Sequence, residues 1–221
     1  MRKNRMLCAA AAASLAVLAA TAAPAAASED APRRGACGDI TLSGTLPVPP
    51  AGMSARQEVG IGADCTPVLG PVRYVPAVAD TPRSLTVPGA AETTPRQVRS
   101  WSEMYDCCKI LMTALYTTST WDTVGGQVAN PATVVSHAAN REPWNAGWSL
   151  TASRKDEQDS GALVTAHAEF GYRGIFDLGG NRYANTHDTT VRLNGDGTAS
   201  CTFDITLRNT FIGWNSVRGC S

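Results

Sequence analysis

His167 and Glu169 stand two residues apart in Ala162–Tyr172, ALVTAHAEFGY. On an extended chain that spacing puts an imidazole and a carboxylate side by side on one face. Such a pair has the residue types for general acid–base work or for one side of a metal site. Asp177 and the dipeptide His187-Asp188 follow in stretches that read as loops, and they would have to converge on the pair to complete a site. Two chemistries are open. Glu169 with Asp177 would be a glycosidase carboxylate pair, about 5 Å apart for retention and further for inversion. His167, Glu169 and His187 would be a metal-ligand set. Against both, polar residues at alternate positions are what the solvent face of a half-buried strand carries. The sequence has no G-x-S-x-G, H-E-x-x-H or C-x-x-C, so the familiar hydrolase, zincin and thiol-redox templates are missing. The turn Asn194-Gly195-Asp196-Gly197 lacks the further acidic ligands of a calcium loop. No catalytic residue, metal or other cofactor is therefore expected, with His167, Glu169 and His187 kept as the alternative site.

The elements that must position these residues are strands. In 162–172, Val164, Ala166, Ala168, Phe170 and Tyr172 share one parity, which predicts a strand with an apolar face. The Asn-Gly-Asp-Gly turn, between Thr190–Leu193 and Ser200–Leu207, predicts a hairpin with Cys201, Phe203, Ile205 and Leu207 facing inward. Further strands are expected over about 110–121 and 148–154, a charged turn over 155–161, and mostly loop over 125–146. Ser100-x-x-Glu103 matches a capping box, and a short helical turn is expected near 101–107. All five Trp and all four Phe lie after residue 98, and they read as core for the most part. Exposed Trp144 and Trp148 would instead offer a surface for stacking on sugar rings. The fold class that follows is mainly β: a compact antiparallel sandwich or barrel-like C-terminal domain over 99–221.

Residues 1–27 have the three-part pattern of a secretory leader. Arg2, Lys3 and Arg5 precede an Ala/Leu run that ends Ala25-Ala26-Ala27. Excluding it removes three of the 19 basic residues and none of the 19 acidic ones, leaving a net charge of −3. That excludes the basic footprint of a nucleic-acid binder, and no other run is apolar enough to span a membrane. Six cysteines remain, an even number that reads as disulfides in an exported chain. The expected pairing joins Cys37 to Cys65, and Cys107 and Cys108 to Cys201 and Cys220 in either order. A bridge between the adjacent Cys107 and Cys108 is the strained alternative. Ten of the 13 prolines fall between Ser28 and Val98. Residues 28–77 therefore read as an extended, Pro-rich, cystine-bearing N-terminal arm or small β lobe, and 78–98 as a linker. Within the arm Asp39, Ile40, Thr41, Leu42 and Leu46 form a short alternating segment suited to adding a strand to a sheet edge, in the same chain or on a partner.

An exported precursor, a cystine-bearing arm with Cys37 and Cys65, and a β domain bounded by Cys107 and Cys220 resemble the adaptor subunit of the Streptomyces umbrella toxin particles. The resemblance lies in organisation over the mature chain and carries over no functional residue. It implies an extracellular, non-catalytic adaptor that joins other secreted proteins and meets cell-surface glycan only through them. The alternatives are a secreted glycan-binding protein, a glycan-active hydrolase, or a small toxin acting alone.

Overall fold

The computed structural model describes residues 36–77, 94–141 and 147–221. The described residues are extended nearly throughout. β1 (Ala36–Cys37), β2 (Ile40–Leu46) and β3 (Met53–Ile61) lead into two short strands, β4 (Pro67–Leu69) and β5 (Arg73–Pro76). The meander β6 (Thr94–Tyr105), β7 (Leu111–Val124) and β8 (Gln127–Ala139) follows. β9 (Gly147–Gln158) and β10 (Leu163–Arg173) are joined through a single 3-10 turn, Asp159–Gly161. β11 (Ala184–Leu193), β12 (Ala199–Arg208), the two-residue β13 (Thr210–Phe211) and β14 (Asn215–Cys220) complete the order. No helix among the described residues is long and apolar enough to cross a membrane.

Two antiparallel sheets pack as a sandwich. The smaller runs β2-β12-β11-β10-β9, and the larger runs β4-β3-β14-β6-β7-β8, with β5 also on β3. Period-two alternation decides which side chains enter. Val164, Ala166, Ala168, Phe170 and Tyr172 of β10 are buried, as are Cys201, Phe203, Ile205 and Leu207 of β12. These are the two faces the sequence predicts. The Asn194–Gly197 turn closes the β11–β12 hairpin, with the Asn194 N–H donating to the Thr198 carbonyl at 2.9 Å.

Four expectations need correction. Residues 155–158 of the expected charged turn belong to β9, which is paired with β10 to its end, and only 159–161 turn. Residues 101–107 are not helical, because β6 lies between β14 and β7 and its backbone groups are used in both ladders. Ser100 and Glu103, the capping-box pair, consequently face opposite sides of a strand. Residues 127–139 are strand rather than loop. Gly125 and Gly126, at φ +57° and +77°, make the tight turn that pairs β7 with β8. Pro131 is tolerated because β8 is an edge. The arm does not stand apart from the domain. β2 pairs with β12 in one sheet and β3 with β14 in the other, and residues Arg33–Ser221 form one compact unit. The boundary expected at residue 98 falls inside β6, and 78–93 of the expected linker lie outside the described residues.

The cysteine pairing is half as expected. Cys37 is bonded to Cys65, but Cys201 is bonded to Cys220, and Cys107 and Cys108 are free and exposed. The reason is strand length. Cys220 pairs in register with Ser100, so Cys107 lies about 23 Å further along at ~3.3 Å per residue. Cys201 and Cys220 are both buried and link β12 of one sheet to β14 of the other.

The interior also holds a polar layer. His187 is fully buried, its Nδ1 2.8 Å from Ser102 Oγ and its Nε2 2.9 Å from Thr113 Oγ1. Asn185 Nδ2 donates to the same Thr113 oxygen at 3.0 Å. Ser100 and Thr117 (2.6 Å) and Ser119 and Thr133 (2.8 Å) pair likewise. Burial pushes the His187 imidazole down to about 3 from its ordinary 6.5.

Two outcomes are expected. Cys201→Ala/Cys220→Ala should lose about 3 kcal/mol in urea unfolding, from the loop the bond closes. Cys107→Ala/Cys108→Ala should stay within about 0.5 kcal/mol of wild type, as exposed positions do. The His187 depression also sets a sign. The unfolded chain takes up a proton near pH 6.5 and the fold does not until about 3. This contribution is thus complete above pH 6.5 and is lost as pH falls towards 3, at up to about 1.4 kcal/mol per pH unit. His187→Gln should flatten the fall in urea midpoint between pH 7 and pH 4; parallel curves for variant and wild type would exclude the assignment.

Candidate functional site

The outer face of the smaller sheet holds the pair the sequence singles out. His167 is opposite Asp188 in the β10–β11 register. Its Nδ1 lies 2.7 Å from Asp188 Oδ1 and its Nε2 3.1 Å from Glu169 Oε1, with only 6% of the side chain exposed. Both ring nitrogens are occupied by carboxylates, so neither faces outward for a metal or a substrate. The arrangement clamps β10 to β11 instead.

The remaining members of the expected site are placed elsewhere. His187 and Asp188 belong to β11 rather than a loop, and consecutive strand residues project to opposite faces. Asp188 therefore joins His167 outside while His187 points into the sandwich. The set His167, Glu169 and His187 is not brought together, and no group of three metal-ligating side chains occurs among the described residues. Asp177 does stand in a loop, where its carboxylate accepts the backbone N–H groups of Gly180, Arg182 and Tyr183. Partial burial opposes its ionisation, but those amides outweigh it and hold the carboxyl below the usual range. That is a loop-ordering role.

The proposed partner-binding segment is also redirected. Ile40, Leu42 and Leu46 are buried in the core, and Asp39 Oδ1 accepts the Asn209 N–H at 3.1 Å. Thr41 alone of the five presents an exposed, uncommitted side chain. β2 remains an edge strand, so only its backbone is open to strand addition. Trp144 lies outside the described residues. Trp148 is buried in a closed cycle of rings, Trp148–Tyr172–Tyr183–Phe211–Trp214, with centroids 5.4–6.3 Å apart. It is therefore not free to stack on a sugar.

A different surface has the features of a binding site. The outer face of the larger sheet carries a cleft of about 610 Å³ lined by Trp101, Glu103, Tyr105, Tyr116, Arg56 and Arg99, among others. The strand registers explain it. Arg56, Gly219, Trp101, Tyr116 and Ser136 form one row across β3, β14, β6, β7 and β8. Gly219 lets the indole lie across β14, since a Cβ there would sit 1.9 Å from Trp101 Cζ2. One row along, Glu103 accepts the Tyr105 hydroxyl at 2.9 Å on Oε2 and the Tyr116 hydroxyl at 3.0 Å on Oε1. Both phenols are held protonated. Burial first and the Glu103 hydrogen bond next push Tyr105 up to about 12, while burial followed by the Glu103 charge raises Tyr116 as well. One carboxylate thus fixes two aromatic rings beside a half-buried indole, with arginines within the same cleft.

The cleft is hidden in the sequence when 101–107 is taken as a helical turn. At period two, Arg99, Trp101, Glu103 and Tyr105 fall on one face, and that was the available signal.

A second exposed feature sits in the β10–β11 connection. Ile175, Phe176 and Leu178 are 68%, 60% and 78% exposed. Reciprocal Gly174–Asp177 backbone bonds and the Asp177 carboxylate keep this turn ordered, and Phe176 leans on Tyr172 at 6.5 Å.

No protein-family model matches the chain, and no curated protein does. Among solved structures, it is similar to the crystal structure of the hypothetical protein lmo2686 from Listeria monocytogenes EGD-e, with 12% identity and a TM-score of 0.31. The match covers 67% of this chain and 98% of that one.

Proposed function

We propose that this protein is an exported, non-catalytic binding protein whose cleft on the larger sheet takes a saccharide. The observation that carries the reading is the Trp101–Tyr105–Tyr116 frame tied to Glu103. An indole laid across a strand is a platform for the C–H face of a sugar ring, and a carboxylate with neighbouring arginines pairs with its hydroxyls. Stacking on fixed aromatics loses little side-chain entropy on binding, because the rings are already positioned. The two disulfides and the leader-like sequence at 1–27 support export.

A second contact, with another secreted protein, is favoured by the turn bearing Ile175, Phe176 and Leu178. Large apolar side chains held in water on an ordered turn are an uncommon surface feature and mark an interaction site. Together the cleft and the turn fit an adaptor that joins a glycan-facing element to a protein partner. The N-terminal segment then contributes through the open backbone edge of β2 rather than through its side chains.

Titration of tryptophan fluorescence with neutral and uronic-acid oligosaccharides tests the first reading. Trp101→Ala should weaken binding at least tenfold, about 1.4 kcal/mol. Gly219→Ala should do the same by displacing the indole, with urea unfolding confirming an intact fold for both. If no saccharide class binds the wild type, or both variants bind as it does, the reading is lost. The triple change Ile175→Ser, Phe176→Ser, Leu178→Ser should leave saccharide titrations unchanged and abolish co-purification with other exported proteins. Retained co-purification would remove the turn from the account.

A further inference from the structure

Among the described residues, Cys107 and Cys108 are the only cysteines outside a disulfide. They occupy the turn between β6 and β7, both exposed, with their sulfurs 3.5 Å apart. Every other described cysteine is in a disulfide. The turn itself is well tied. Asp106 Oδ1 accepts the N–H groups of Cys108 and Ile110 at 2.8 Å each, and the Asp106 and Lys109 amides donate to Ile110 and Asp106 carbonyls at 3.1 Å. Behind it, a Cβ at Gly213 would approach Cys107 Cβ to 3.6 Å, so Cys107 backs onto the 211–214 segment. The pair is thus held at the surface, open to a reagent from solution, with little freedom to separate.

We propose that Cys107 and Cys108 form a redox-labile dithiol that closes to a vicinal disulfide by exchange with an external low-molecular-weight disulfide. The order of attack follows from the neighbouring sulfur. The hydrogen bond to Cys107, then the charge there, raises the Cys108 thiol above its ordinary value, which suits Cys108 to the second, resolving step. Cys107 Sγ attacks one sulfur of the external disulfide. The S–S bond breaks, one thiolate leaves, and a mixed disulfide forms on Cys107. Cys108 Sγ then attacks Cys107 Sγ, expelling the second thiolate. The two protons lost by the cysteines go to the two released thiols, the protein is oxidised by two electrons and the reagent is reduced by two. A resolving sulfur at 3.5 Å acts at a far higher effective concentration than any thiol in solution, which favours closure over a lasting adduct. The eight-membered ring is strained. It reopens under mild reduction, unlike the buried Cys201–Cys220 bond, so this is a switchable element at the surface and not a staple.

The test uses the full chain with its two native disulfides, incubated with oxidised glutathione and mapped by mass spectrometry without reduction. In the wild type, the peptide spanning 107–108 should lose two hydrogens, carry no glutathione and resist alkylation. Low dithiothreitol should restore its alkylation before that of Cys201 and Cys220. In Cys108→Ser, glutathione should accumulate on Cys107 with a lifetime at least about tenfold longer than in wild type. Two unreacted, alkylatable thiols in the wild type after oxidation, a stable glutathione adduct there, or a chain-to-chain bridge through this turn would each overturn the proposal.

Discussion

Cys220 reaches across the sandwich to Cys201, and the strand that carries it is the one on which the larger sheet depends. β14 lies between β3 and β6, so it joins the N-terminal group β3, β4 and β5 to the meander β6, β7 and β8. The disulfide ties this strand to β12, itself flanked by β11 and β2. One covalent bond therefore pins the middle of one sheet to the neighbour of the edge strand in the other. The remaining packing around it, Leu46, Val98, Trp121, Val191 and Phe203, is apolar and closed. This is why the N-terminal segment cannot be an independent arm: its two main strands are divided between the sheets that the bond joins.

The interior holds polar as well as apolar side chains, and a glycine makes room for the largest of them. Arg218 of β14 is buried, with Nε and Nη2 donating to Gln57 Oε1 at 3.1 and 2.7 Å. Gly44 on the opposing β2 leaves the space, since a Cβ there would come within 2.3 Å of the guanidinium. Desolvation lowers the Arg218 pKa, though a guanidinium remains charged. A buried cation and a neutral buried histidine contribute little net stability compared with apolar packing, but their directional bonds fix register, Arg218 between β14 and β3 and His187 between the two sheets. Gly219, on the same strand as Arg218, serves the outer face in the opposite way by giving Trp101 room to lie flat.

The two outer faces are therefore different in kind. On the smaller sheet the polar groups satisfy one another, with His167 closed between Asp188 and Glu169. On the larger sheet Glu103 organises two phenols and leaves a cleft beside them. What separates the two faces is the open space beside the paired groups, which the larger sheet has next to Glu103.

Alternation by itself determined the inward faces of β10 and β12, the β11–β12 hairpin and the sandwich class, because side-chain direction on a strand is a local property with period two. The Cys37–Cys65 bond was legible for another reason, because these two cysteines lie together in the Pro-rich N-terminal stretch and apart from the other four. What the sequence could not decide was everything set by pairing at a distance. Whether the stretch from residue 101 is helix or strand depended on β14 arriving to share the backbone bonds of β6. Which cysteines met depended on register, and the placing of His187 and Asp188 on opposite faces depended on their lying in a strand at all. Trp101, Glu103 and Tyr116 came together only when β6 and β7 paired, since the residues of a sheet surface are neighbours through hydrogen-bond register and not through sequence.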